Sequence, residues 1–294
     1  WTRNLMPRYF PIGNHSKNFV ICLSGVGAQN DFSALITDAV PNFHAIQTAQ
    51  CFPLYVFDES AAEPDKASNA DLFSDRSNRE NIQFRRDAIT DAGLAHFRAS
   101  YPSDDMSKED IFYYVYGLLH SPDYRERYAD NLSKELPRIP CVNTPEDFWA
   151  FSKAGRDLAD LHLNYETVAP YALKIDAGNQ KLTDADYRVE KMRYGKKSGE
   201  KDLTTLHYNA KITLTGIPLE AYEYVVNGKP ALDWVVERQC VKTDKDSGIM
   251  NDANDWAIET MHNPCYPLEL FMRVVTVSLE TMKIVKSLPP LDID

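Results

Sequence analysis

The sequence has little that would identify a metal-binding, disulfide-stabilised or membrane protein. Its 294 residues include five cysteines, an odd number, widely spaced and without a CxxC pair. This usage argues against a zinc ribbon and against a disulfide framework, and it fits a reducing cytoplasm. No run of eighteen or more apolar residues occurs, so we expect no membrane partner. The cysteines are Cys22, Cys51, Cys141, Cys240 and Cys265.

Motifs of the common hydrolytic and nucleotide-dependent reactions are also missing. There is no HExxH and no GxSxG, and neither Gly195-Lys196 nor Gly228-Lys229 has the glycine that a phosphate loop requires six positions before the lysine. Pro64-Asp65 and Pro122-Asp123 lack the acid-x-lysine partner of a metal-dependent nuclease. The sequence therefore predicts no catalytic residue, no metal site and no cofactor in this chain.

The balance of charge is unfavourable for binding nucleic acid, apart from one segment. The formal net charge is −11, whereas neutralisation of phosphates supplies most of the nonspecific affinity for DNA. Residues 185–201 contain six basic and three acidic residues, a local charge of +3. An acidic body with one basic segment is compatible with a local contact to DNA.

Two short motifs have both a functional and a structural interpretation. Residues Gly25 to Asn30 resemble a glycine-rich nucleotide loop, but Asn30 stands where a third glycine is expected, which favours a simple turn. Residues Asn263 to Tyr266 read Asn-Pro-Cys-Tyr and resemble the Asn-Pro-Pro-Tyr motif of adenine methyltransferases. A turn that begins a helix is the favoured interpretation there as well.

The pattern along the chain predicts an α+β fold in three parts. Residues 1–83 form a β-rich part with strands at Phe19 to Leu23 and Phe52 to Phe57, followed by an acidic loop from Asp58 to Glu80. Residues 84–170 form a helical bundle, and residues 171–294 complete the β-rich part with a β-hairpin and helices. The chain begins at Trp1 rather than Met, and we interpret it as a piece of a longer polypeptide.

Helix starts are the clearest local signals. Ser107 begins a capping-box-like sequence, and Ser121-Pro122 and Thr144-Pro145 each place a hydroxyl at the N-cap and proline at the first helical position. Pro137 and Pro140 are expected to end the second of these helices.

The last part of the chain changes period. Residues 205–214 alternate between apolar and polar side chains, which predicts one strand with a buried face and a solvent-exposed, wet face. Residues 218–226 and 230–240 are predicted short helices separated by a turn at Asn227-Gly228. The segment from Leu268 to Met282 is predicted to be a helix.

The basic segment and the wet face of the following strand form the candidate DNA-binding surface. Arginine and lysine neutralise phosphates, and arginine, lysine and asparagine also pair with base edges. The alternative is a solvated hairpin with ordinary surface charge. The candidate residues are Arg188, Lys191, Arg193, Lys196, Lys197, Lys201, Thr205, His207, Asn209 and Lys211.

Several sequence blocks together carry a family resemblance. The most distinctive block runs from Ile111 to Pro140 and reads IFYYVYGLLHSPDYRERY before its Leu-Pro-Arg-Ile-Pro ending. The other blocks are Arg8 to Pro11, Asn18 to Gly27, Gln50 to Tyr55, Leu219 to Gln239 and Ser278 to Pro289. In this combination the chain resembles the C-terminal specificity domain of Type ISP restriction-modification enzymes.

The resemblance implies a non-catalytic target-recognition module that binds double-stranded DNA. Methylation of adenine and cleavage would then belong to other domains of the same polypeptide, including methyltransferase and helicase-like domains. S-adenosylmethionine, ATP and Mg²⁺ are implied for that parent enzyme and not for this chain. Two alternatives stay open, namely a protein-interaction module that docks through its aromatic-rich helices and a chain that completes a methyltransferase site with Asn263 to Tyr266.

Overall fold

The computed structural model describes residues 6–10, 17–41, 46, 49–59, 83–179 and 181–293. The predicted α+β class is confirmed. The helices are α1 (Met6–Tyr9), α2 (Asp91–Ser100), α3 (Lys108–Leu118), α4 (Pro122–Arg127), α5 (Ala129–Leu132), α6 (Pro145–Leu163), α7 (Ala231–Arg238), α8 (Ala253–Glu259) and α9 (Tyr266–Lys286). Two 3₁₀ helices cover Asp184–Tyr187 and Leu219–Tyr222.

The strands are short and form small antiparallel sheets. They are β1 (Val20–Leu23), β2 (Ala34–Thr37), β3 (Gln50–Pro53), β4 (Tyr55–Glu59), β5 (Gln83–Asp87), β6 (Lys174–Asp176), β7 (Arg193–Lys197), β8 (Glu200–His207), β9 (Thr213–Thr215), β10 (Val225–Val226), β11 (Lys229–Pro230), β12 (Val241–Thr243) and β13 (Met250–Asp252). Their orders are β2-β1-β3, β4-β5, β6-β9-β8-β7, β10-β11 and β12-β13. The four-stranded sheet is the one that carries most of the predicted site.

A first hydrophobic cluster joins the N-terminal strands to the helices α2 to α6. One face of β1 supplies Ile21 and Leu23, and α3 supplies a run of buried aromatic side chains that includes Tyr114 and Tyr116. The phenol of Tyr114 donates to the carbonyl of Pro140 over 2.7 Å. The distinctive aromatic block of the sequence is therefore mostly core.

Helices α3 and α6 cross at two glycines. A Cβ atom on Gly117 would lie 2.1 Å from the carbonyl oxygen of Phe151, and one on Gly155 would lie 1.8 Å from that of Tyr113. Side chains other than hydrogen do not fit at such distances, so the backbones of the two helices are in direct contact.

A second hydrophobic cluster lies between the four-stranded sheet and the C-terminal helices. Leu206 and Leu214 are neighbours on β8 and β9 and are fully buried. They pack in the same cluster as Leu232 of α7 and Phe271 of α9. The buried row fixes which face of the sheet is left for the surface, because successive side chains of a strand point to opposite faces.

Helix α9 and a few polar contacts connect the two clusters. Val275 of α9 belongs to the second cluster, whereas Ile284, near the end of the same helix, packs against the first. His162 of α6 is hydrogen-bonded to Tyr116 of α3 over 2.7 Å and to Thr281 of α9 over 2.9 Å. The three helices are therefore joined by one buried polar chain.

Several predicted strands and helices have different bounds in the structure. The strand predicted over 205–214 is wrong, because β8 ends at His207 and β9 begins at Thr213. Both arms of this hairpin bury alternate residues, so their pattern imitates a single strand. The run Phe52 to Phe57 divides into β3 and β4 of different sheets, and residues 218–226 form a 3₁₀ helix and strand β10 instead of one short helix.

The helix starts are confirmed. Ser107, Ser121 and Thr144 cap α3, α4 and α6 through hydrogen bonds from Asp110, Tyr124 and Asp147 backbone amides, respectively. The predicted end of the second helix is wrong, because α4 ends at Arg127 and α5 at Leu132, before either proline.

Other predictions for the C-terminal part and for the domains have mixed outcomes. Helices α7 and α9 confirm the predictions over 230–240 and 268–282, and Asn227 and Gly228, with φ of 51° and 82°, form the expected turn. The division at 1–83, 84–170 and 171–294 stays a prediction. Most of the predicted acidic loop, residues 60–80, lies outside the described residues.

Candidate nucleic-acid interface

Six of the ten predicted contact residues line one open cleft beside the four-stranded sheet. The cleft has a volume of about 630 Å³. Its remaining lining comes from Ala185, Asp186, Glu190 and Ala210. The six predicted residues are Arg188, Lys191, Arg193, His207, Asn209 and Lys211.

The walls of the cleft are fixed by hydrogen bonds between distant segments. The Nδ2 atom of Asn209 donates to the carbonyls of Asp186 and Arg188 over 2.8 and 2.9 Å. Its Oδ1 atom accepts from the backbone amides of Lys211 and Ile212. The side-chain amide of Asn209 is therefore fully used in holding the β8-β9 loop against the segment before β7.

Two of the predicted cations that line the cleft are already paired with carboxylates. Arg188 donates to Glu190 and to Asp252, each over 2.8 Å. Burial disfavours the charged form of Asp252, but hydrogen bonds from Arg188 and Asn254 outweigh it and hold the pKa of that carboxyl below its usual range. Arg188 therefore ties the cleft to the hairpin β12-β13.

Lys211 pairs with Asp186 in the same cleft. The hydrogen bond from Lys211, together with those from Thr183, lowers the pKa of Asp186 to about 2. The carboxylate is thus ionised at neutral pH and cancels the lysine charge locally.

Four predicted cations have no carboxylate partner among the described residues. Within the part of the chain that the structure describes, no carboxylate lies within 4.0 Å of the ammonium or guanidinium groups of these residues. Two of them line the cleft, and the other two flank the tip of the β7-β8 hairpin, where Ser198 and Gly199 have φ of 53° and 88°. The four are Lys191, Arg193, Lys196 and Lys197.

Three of the predicted residues have partners within the protein, and one of these, His207, also lines the cleft. Lys201 lies 3.6 Å from Asp233 of α7, and its Nζ atom is 4.0 Å from the centroid of the Tyr194 ring. Tyr194 packs against the second cluster, and Lys201 does not line the cleft. Thr205 is a hydrogen-bond partner of Asp202, and His207 is hydrogen-bonded to Thr213 over 3.1 Å.

Sequence reasoning missed the residues that hold the cleft from behind. Asn254 is 4% exposed and both accepts from the amide of Val189 and donates to its carbonyl, each over 2.9 Å. Asp252 pairs with Arg188 across 64 positions of sequence. No local pattern signals such long-range contacts.

The two motifs with a possible nucleotide role have structural roles. Residues Gly25 to Asn30 form a turn between antiparallel strands, with the amide of Ala28 donating to Gly25 over 3.1 Å. Asn263 accepts from the amide of Cys265 at the start of α9. Tyr266 is 4% exposed and donates to Glu166, so its ring is not available to stack on a base.

Comparison with known proteins gives the family. The family model for the Type ISP C-terminal specificity domain matches residues 1–270. The chain belongs to this family. No curated protein matches it.

Solved structures of longer enzymes contain a similar domain. The ATP-dependent Type ISP restriction-modification enzyme LlaBIII bound to DNA matches 99% of the chain with 34% identity and a TM-score of 0.78. A nuclease-deletion mutant of the Type ISP enzyme LlaGI with a DNA substrate mimic matches 98% with 35% identity and a TM-score of 0.74. The DrdV-DNA complex matches 98% with 32% identity and a TM-score of 0.77. The specificity domain spans 17%, 19% and 26% of those three chains.

The described residues contain neither a membrane-spanning helix nor a metal-binding cluster. None of the helices there is long and apolar enough to cross a membrane. No group of three or more His, Cys, Asp or Glu side chains in the same residues could hold a metal ion.

Proposed function

We propose that this specificity domain recognises the DNA target of a multidomain restriction-modification enzyme. The observation that carries the proposal is a group of four cations without carboxylate partners among the described residues, namely Lys191, Arg193, Lys196 and Lys197. It lies in the one strongly basic segment of a chain with a net charge of −11. Family membership and the DNA-bound state of the similar enzymes agree with it.

The spacing of these cations suits a duplex. From Lys191 to Lys197 an extended backbone covers roughly 20 Å, the length of about six base pairs. Lysine and arginine along such a strip can neutralise successive phosphates or reach base edges in a groove. Specificity would come from a few of these contacts, each good bidentate pair contributing about 1 to 3 kcal/mol of discrimination.

The other predicted residues take supporting roles in this proposal. Asn209 and the ion pairs of Arg188 and Lys211 fix the shape of the cleft. Lys201 is paired with Asp233 of α7 and is not expected to contact DNA. His207 lines the cleft beside Arg193 and remains a candidate for direct contact.

Methylation of adenine and cleavage are proposed to belong to other domains of the parent polypeptide. S-adenosylmethionine, ATP and Mg²⁺ would be bound there, by methyltransferase and helicase-like domains. The buried ring of Tyr266 argues against a methyltransferase site in this chain. The buried aromatic side chains of α3 argue against docking through that helix.

Domain exchange in the parent enzyme tests the proposal. This region would be replaced by that of a relative with a different methylation site, and methylated adenines would be mapped by single-molecule sequencing. We expect the methylation site to follow the exchanged region. An active chimaera that kept the original site would contradict the proposal.

Charge removal at the hairpin tip tests the proposed surface. In the parent enzyme, Lys196→Gln with Lys197→Gln should weaken binding to its target duplex and reduce the slope of log K against log salt by about 2, one for each lost phosphate contact. The matched control is Lys283→Gln with Lys286→Gln, two exposed lysines of α9. Equal effects of the two double substitutions would remove the hairpin from the interface.

A further inference from the structure

Two of the five cysteines face each other across a strand pair. Cys22 of β1 is directly opposite Cys51 of β3 in the antiparallel register, and their Sγ atoms are 3.4 Å apart. Cys22 is 4% exposed, whereas Cys51 is half-buried. No local sequence pattern signals this pairing, because 29 positions separate the two residues.

The position of the pair in the ladder suits a covalent bond. The amide of Leu54 donates to the carbonyl of Phe19 over 2.7 Å, which marks this as a hydrogen-bonded position. The next pair is Val20 with Pro53, and proline has no amide hydrogen to donate. Because the two kinds of position alternate along antiparallel strands, Cys22 and Cys51 occupy a non-hydrogen-bonded position. Cα atoms there are about 4.5 Å apart, within the range that a disulfide spans.

We propose that Cys22 and Cys51 are a redox modification site that forms a reversible disulfide when the protein meets a peroxide. The inference does not depend on the proposed function. Bond formation requires the two sulfur atoms to approach by rotation of their side chains, with no change of strand register.

The surroundings assign different roles to the two thiols. A hydrogen bond from the Cys22 thiol stabilises the thiolate of Cys51 and lowers its pKa, while the same contact and burial raise the pKa of Cys22. Cys51 is also the more exposed of the two. Cys51 is therefore the attacking thiol and Cys22 the resolving thiol.

The reaction balances with peroxide as the oxidant. The Cys51 thiolate attacks one oxygen of hydrogen peroxide, which gives the sulfenic acid and a hydroxide ion. The Cys22 sulfur then attacks the Cys51 sulfur and displaces hydroxide, and the two protons of the original thiols leave with the two hydroxides as water. Two thiols and one peroxide thus give one disulfide and two waters, and a dithiol reductant reverses the change.

Mass spectrometry of the reduced chain, treated with increasing hydrogen peroxide, tests the proposal. We expect loss of two hydrogen atoms in the intact mass and one cross-linked peptide pair containing Cys22 and Cys51, both reversed by dithiothreitol. The oxidised chain should melt roughly 5 °C higher, because the bond closes a long loop in the unfolded state. Over-oxidised Cys51 without the cross-link would overturn the proposal, and so would a cross-link between any other pair.

Substitutions separate the pair from the remaining thiols. The triple substitution Cys141→Ser, Cys240→Ser and Cys265→Ser removes three half-buried cysteines and should leave the cross-link intact. Cys22→Ala should abolish it and allow a dimedone reagent to trap Cys51 as sulfenic acid. Circular dichroism before oxidation checks that each variant is folded, and the wild-type peptide map decides the question even if Cys22→Ala is not.

Discussion

At the scale of single residues, the crossing of α3 and α6 depends on two glycines, which have no side chain beyond hydrogen. Gly117 and Gly155 bring the two backbones into contact, and an added methyl group at either would lie about 2 Å from a carbonyl oxygen. Because two packed helices cannot separate locally, the whole crossing would have to shift. Gly117 stands inside the aromatic block of α3 and Gly155 in the middle of α6, and nothing in the sequence around either glycine signals the close contact.

We expect Gly117→Ala to lower the free energy of unfolding by about 3 kcal/mol, at the upper end of the usual cost of overpacking. Urea denaturation followed by circular dichroism measures the change. Gly93→Ala in α2 is the matched control, since its Cβ would meet only ordinary contacts at 3.4 Å or more, and it should stabilise by about 0.5 to 1 kcal/mol. A Gly117→Ala variant as stable as the wild type would mean that the helices do not cross at these residues.

Asn254 illustrates how one buried amide supports a surface. Its side chain bonds to both backbone groups of Val189 and so takes the place of a strand partner behind the cleft. Asn254→Ala leaves these groups unpaired, and we expect it to cost about 1 to 3 kcal/mol in the free energy of unfolding. In the parent enzyme, weaker DNA binding should accompany this loss, although Asn254 itself contacts no predicted phosphate ligand.

Urea denaturation measures the change in the free energy of unfolding, and Asn251→Ala provides the control. Asn251 lies on the neighbouring strand β13 and is exposed. If both alanine substitutions destabilise equally, the bridge to Val189 is not the source of the effect.

At the scale of elements, the sequence correctly predicts those features that depend on only a few neighbouring residues. Ser107, Ser121 and Thr144 each cap a helix because a hydroxyl and the next turn are all that the interaction needs. The prediction of one strand over 205–214 is wrong because both arms of the hairpin bury every second residue. The alternation of apolar and polar residues therefore continues through the loop. The bonds of Asn209 to Lys211 and Ile212 close the loop at which the chain reverses there.

The candidate site follows the same rule. Its cations are predictable because six basic residues lie close together between positions 188 and 201. The sequence does not predict which of these cations form ion pairs, because the partners lie on distant elements. Arg188 pairs with Asp252, and Lys201 pairs with Asp233. The predicted set of ten therefore divides into free cations, paired cations and residues that hold the loop.

At the scale of the whole molecule, the buried chain of Tyr116, His162 and Thr281 makes stability depend on pH. Burial lowers the pKa of His162 to about 4, and it lowers the pKa of His120 as well. In the unfolded chain histidine has a pKa of about 6.5. The folded state thus binds fewer protons than the unfolded state, and stability present above pH 6.5 falls as the pH drops towards 4.

His162 alone should contribute a loss of about 3 kcal/mol across this interval. Carboxylates also titrate there, so the measurement compares unfolding free energies of the wild type and His162→Gln at about pH 7 and about pH 4. The variant should be less stable at neutral pH and lose less on acidification. Parallel pH profiles would contradict this account, because they would mean that folding does not lower the pKa of His162.

The course of α9 has a practical consequence for anyone who produces this domain. The family model ends at residue 270, but the helix continues to Lys286. Truncation at the model boundary would retain little more than one turn and would delete Val275 from one hydrophobic cluster and Ile284 from the other. We expect such a product to accumulate in inclusion bodies, whereas a chain that extends to residue 293 should elute as a discrete species in size-exclusion chromatography. A boundary drawn from sequence similarity would thus cut through the helix on which both halves of the protein are assembled.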